Sequence, residues 1–115
     1  MTVMLPMVNR VALIVRPREP YAAWANAVDD DAEYDLAVHR NEPEVFLLPV
    51  WAADDLAAAI AEHWNAIFEQ ELEAWCTDET AWPRKRTLAM FHEWFEVGLA
   101  EPVWDLGVDG LVADE

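Results

Sequence analysis

Five consecutive apolar residues close the segment Val8–Val15, Val-Asn-Arg-Val-Ala-Leu-Ile-Val. An unbroken run with β-branched members predicts a strand covered on both faces. Arg16-Pro17-Arg18-Glu19-Pro20 ends it, because closely spaced prolines cannot continue a ladder. Tyr21 to Val28 predicts a short helix: Pro20 suits its first turn, and Tyr21, Trp24 and Val28 share one face. Asp29 to Asp35 predicts an exposed acidic loop, and Leu36 to Arg40 a further helical turn.

Glu44 to Val50 predicts a second strand, with Pro49 near its end. Asp54 or Asp55 then caps a helix running to Trp75 or Cys76. Leu56, Ile60, Trp64, Ile67, Phe68 and Trp75 form its apolar stripe, opposite Glu62, Asn65, Glu69 and Glu73. Thr77 to Thr80 breaks that helix, and Thr87 to Val97 predicts another, with Leu88, Phe91 and Phe95 on one face and Gly98 as its stop. Pro102 to Leu106 reads as a third strand, at an edge.

The resulting order is β-α-β-α-α-β. It predicts an α+β or small α/β fold: a two-layer sandwich with a three- to four-stranded sheet and helices packed on it. Its first three elements suit a right-handed parallel crossover. The expectation is a single domain over residues 1–115, with loose ends at 1–7 and 109–115 and with Met7 as an alternative start.

Composition narrows the function. The chain has 115 residues, 55% of them hydrophobic and 26% charged, which excludes intrinsic disorder. Its 23 acidic residues face 7 basic ones, a formal net charge of −16. That balance argues against gripping a nucleic-acid backbone or an anionic membrane, both of which need clustered Lys and Arg. It accounts for solubility, and it also favours a basic partner. The single cysteine, Cys76, forms no intramolecular disulfide. No stretch is long and apolar enough to cross a bilayer, and the opening residues lack a secretory pattern, so the expected compartment is the cytoplasm.

Candidate chemistry is sparse. No glycine precedes residue 98, so Gly-rich phosphate loops are absent. The acidic loop fails as a Ca²⁺ loop, because Tyr34 and Arg40 stand where Gly and Glu are needed. His39, His63 and His92 are too far apart for a local zinc pattern, and nothing in the setting of Cys76 argues for an activated thiol. No catalytic set, metal ligand set or cofactor is therefore expected.

Two features stand out. The first is the island Trp82, Arg84, Lys85, Arg86 and Thr87, at the start of a predicted helix. Its functional reading is a pocket for an anion or a partner; its structural reading is charge neutralisation of Glu69, Glu73, Asp78 and Glu79. The second is Glu71, which falls inside an apolar stripe with Ile67 at i−4 and Trp75 at i+4. A carboxylate there must be paired, for instance with Arg10 or an indole N–H, or hold its proton. Among the seven tryptophans, Trp24, Trp64, Trp75 and Trp94 are expected in the core, and Trp51 and Trp82 at the surface.

The reading that follows is a non-catalytic cytoplasmic interaction or regulatory domain. Its partner is a basic protein or a second copy of itself, with no direct nucleic-acid or membrane contact. The alternative is a small ligand-binding protein or enzyme with an anion pocket at residues 82–87.

Overall fold

A computed structural model of the chain describes residues 5–113. The fold is mixed α+β, with a three-stranded antiparallel sheet and four helices. Strand β1 (Arg10–Pro17) is central. Helices α1 (Glu19–Val28) and α2 (Leu36–Asn41) lead to strand β2 (Glu44–Pro49). A 3-10 turn (Val50–Ala53) precedes the long helix α3 (Leu56–Trp75). A second 3-10 turn (Glu79–Ala81) and helix α4 (Leu88–Trp94) lead directly into strand β3 (Phe95–Ala100).

The sheet order is β2-β1-β3, with both outer strands antiparallel to β1. This corrects the expected parallel crossover. Two short helices carry the chain back beside β1 and return it in the opposite direction, so Val15 pairs with Glu44 and Arg10 with Pro49.

Register explains the core. Val11, Leu13 and Val15 are 0–2% exposed and face inward. Their cross-strand partners Leu48 and Phe46 on β2 and Val97 and Leu99 on β3 belong to the same packed cluster. From the helices come Tyr21, Ala25, Ile60, Ile67, Phe68, Leu72 and Phe91. Phe68, Phe91 and Phe95 form its aromatic centre, with ring centroids 5.2–6.2 Å apart. Burying such rings is the main stabilising term.

The other face of β1 is different. Ile14 is only half-buried, and its neighbourhood on β2 includes Val45 and Leu47, which are 55% and 46% exposed. The apolar run of β1 therefore has core packing on one side only; on the other, lateral neighbours in the sheet shield it.

Helix α3 starts where expected. Asp55 accepts from the Ala58 N–H, and the helix ends at Trp75. The last helix is shorter than expected. It ends at Trp94, and residues 95–100 form β3, so Gly98 lies within a strand rather than stopping a helix. Phe95 satisfies both periods: it continues the helical stripe of Leu88 and Phe91, and it begins the alternation Phe95, Val97, Leu99 that faces the core. The strand expected at Pro102–Leu106 reduces to one isolated bridge, between Met7 and Trp104. Backbone bonds from Val8 to Val103 and from Asp105 to Pro6 flank it. The expectation for residues 1–4 and 114–115 lies outside the described residues; Leu111 and Val112 are exposed at 68% and 87%.

Candidate functional site

Strand β2 is an edge strand. Pro43 precedes it and Pro49 ends it, so both ends are guarded against pairing with another chain. Val45 to Leu48 between them carry neither proline nor charge. The turn after β2 buries Ala52 fully and leaves Trp51 at the surface, 44% exposed. Helix α3 then runs back along β2. Its residues Glu62, His63, Ala66, Ile67 and Gln70 recur at helical spacing and line one wall of a groove. Phe46, Leu47, Leu48, Pro49 and Trp51 line the other. The groove encloses about 560 Å³, within the range of small-ligand sites.

Comparison with protein-family models, curated proteins and solved structures gave no match.

A second, smaller cavity lies between the β1 residues Val15 and Pro17, β2 and α3. It encloses about 70 Å³ and is lined by Glu44 from β2, by Glu71, Ala74 and Trp75 from α3, and by Tyr21, Tyr34, His39 and Glu42. Glu71 is 6% exposed, and its Oε1 has no hydrogen-bond partner. Neither expected partner reaches it. Arg10 bonds to Asn9, and the indole N–H groups of Trp24, Trp75 and Trp82 donate to the carbonyls of Ala81, Ala25 and Cys76. Burial, and then the charge of Glu44, push the Glu71 carboxyl up to about 8. At neutral pH it holds its proton. Burial also raises the hydroxyls of Tyr21 and Tyr34, so both stay protonated. The Tyr34 ring stacks on His39, 4.2 Å between centroids at 9°.

The basic island is placed differently. Trp82 is 8% exposed rather than at the surface, because its indole packs into the core and donates to the Cys76 carbonyl. Arg86 is tied down on three sides: to Asn65, to the Pro83 carbonyl and to Glu69 at 3.0 Å. Its guanidinium also lies 5.9 Å from the centroid of the Phe68 ring. Thr87 caps α4 by accepting from the Met90 N–H. Arg84 and Lys85 are exposed. None of residues 82–87 lines either cavity.

Sequence reasoning singled out Glu71 but not its surroundings. Tyr34, His39, Glu42 and Glu44 lie 27–37 positions away in the chain, and only the return of β2 brings them together. The groove has its own sequence signal, an apolar run between Pro43 and Pro49 followed by Trp51. Among the described residues, no group of three or more His, Cys, Asp or Glu is placed to hold a metal ion, and no helix is long and apolar enough to cross a membrane.

Proposed function

We propose that the chain is a non-catalytic interaction domain that takes an extended segment of a basic protein as an added strand on β2. The whole is then a two-layer sandwich, with the helices on the inner face of the sheet and the fourth strand supplied by the partner.

The observation that carries this reading is the groove of about 560 Å³ beside the edge of β2, which pairs with no further strand among the described residues. Strand addition draws affinity from main-chain hydrogen bonds and specificity from pockets for alternate side chains. An incoming strand would direct one set of side chains into the groove, against Phe46, Leu48, Trp51 and Ile67. The other set would lie beside exposed Val45 and Leu47 on the outer face. A net charge of −16 favours a cationic segment and speeds its approach at low salt.

Selection from a displayed library of random 16-residue peptides tests it. The expected winners alternate apolar residues with Lys or Arg, and they lose binding to the Leu47→Lys and Trp51→Ala variants. Winners indifferent to both variants contradict the reading. So does a stable dimer in sedimentation that Leu47→Lys dissociates, because a second copy then occupies the edge.

A further inference from the structure

The small cavity presents a buried acceptor with nothing to accept. Glu71 lines the cavity, and its buried Oε1 has no partner. An unsatisfied buried acceptor is unfavourable, so the site favours any donor that reaches it. The Tyr21 hydroxyl does not serve, because it donates to the Glu71 main-chain carbonyl. Nor does Arg40, whose guanidinium binds the Pro17 carbonyl and Glu96.

The groups facing Glu71 define what fits. Glu44 on β2 and Glu42 just before it line the cavity and are exposed, so its solvent side carries two acidic groups. Tyr21, Tyr34, His39 and Trp75 supply aromatic walls. Tyr34 meets Trp75 edge-on at 5.1 Å, and His39 meets it edge-on at 6.1 Å. No Lys or Arg lines the space. An acidic solvent side, aromatic walls and one buried carboxylate oxygen match a cation that carries N–H donors on a slim stem. A volume of about 70 Å³ admits such a head together with a few water-sized volumes, and little more.

We infer that the cavity is a socket for a primary ammonium group, which donates to the Glu71 carboxylate and passes its stem out between Glu42 and Glu44. The group comes from a free small amine or from a lysine side chain. The inference stands without the groove reading. Where both hold, a lysine of the docked strand reaches the socket, because β2 and α3 line both groove and cavity.

Binding moves a proton. The ammonium needs the carboxylate form of Glu71, which is protonated below about 8. Near pH 7 each ligand bound therefore releases about one proton, and near pH 9 none. Calorimetry in buffers of different ionisation enthalpy measures this for methylammonium chloride. Tetramethylammonium chloride, with no N–H, is the control at equal ionic strength.

The expected result is saturable methylammonium binding with the stated proton release and no matching response to tetramethylammonium. Glu71→Gln removes the proton release and weakens binding at least about tenfold, while circular dichroism verifies its fold. N-acetyl-lysine methylamide separates the sources. Tighter binding than methylammonium marks a protein side chain, and weaker binding marks a free amine. Equal responses to both ammonium salts, or methylammonium binding unchanged in Glu71→Gln, overturn the socket. So does absence of binding by both amines, which leaves a cavity that holds water only. A socket that binds amines in a protein that selects no peptides defeats the groove reading alone.

Discussion

The Tyr21 hydroxyl donates to the main-chain carbonyl of Glu71, while the side-chain carboxyl of that same Glu71 has an oxygen with no partner. The contact locks α1 against α3 without satisfying the buried acid. Tyr21 is itself in the aromatic core, 5.3–5.5 Å from the rings of Trp24, Tyr34 and Phe95. The donor is therefore held by packing and cannot swing to the carboxylate.

A pH dependence follows. The Glu71 carboxyl titrates near 4.5 in the unfolded chain and near 8 in the fold. Between these values the folded state holds one proton more than the unfolded state, so this group's contribution to stability falls as pH rises and levels off above about 8. Glu71→Gln has no such proton. Relative to wild type it gains stability from pH 5 to pH 9, by roughly 3–5 kcal/mol at the upper end. The side-chain hydrogen bonds of Asp78 to Thr80 and of Glu96 to Arg40 lower those carboxyls, but they act alike in both proteins and cancel. Urea titrations of both proteins across that range check it.

Arg86 is predicted to be structural, and Arg84 dispensable for folding. Arg86→Ala removes bonds to Asn65, Pro83 and Glu69 from a side chain only 16% exposed. The expected loss is roughly 1–3 kcal/mol. Arg86→Lys recovers only part, because an ammonium cannot reproduce the planar fork. Arg84→Ala stays within about 0.5 kcal/mol of wild type. Denaturation midpoints of the three variants decide this.

Phe68 is fully buried between α3, α4 and β3, with Phe95 edge-on at 5.2 Å and Trp94 at 5.4 Å. Phe68→Ala leaves a cavity worth roughly 3–5 kcal/mol. In a domain of ordinary marginal stability that is a large part of the total. A thermal midpoint many degrees below wild type is expected; a shift of only a degree or two would contradict the packing.

Leu47→Lys should behave oppositely. The side chain is 46% exposed, so stability changes by no more than about 0.5 kcal/mol. A lysine on an edge strand also discourages pairing with another chain. Unchanged unfolding combined with lost peptide capture is the expected pair of results.

The secure parts of the fold were those with redundant signals. Helix α3 carries an Asp55 cap, a long apolar stripe and an opposite polar face, and all three point to the same span. Strand β3 was obscured because Phe95 fits two periods, and helical spacing from Leu88 hides the alternation that follows. Strand direction is not encoded in local pattern: α1 and α2 serve an antiparallel return as readily as a parallel one. Glu71 was legible because a carboxylate in an apolar stripe is locally anomalous. Its aromatic and acidic company was not, since tertiary pairing of β1 with β2 assembles it. Trp82 looked exposed beside Pro83, yet the turn at Glu79–Ala81 folds its ring inward.

The β2 edge and its groove form the proposed binding surface. Backbone amide shifts, followed while a selected peptide is titrated into labelled protein, test that most directly. The prediction is that the largest changes fall on Val45 to Leu48, Trp51, His63 and Ile67, with new hydrogen-exchange protection along β2. Changes concentrated on Trp82 to Thr87, with β2 amides unmoved, would contradict it.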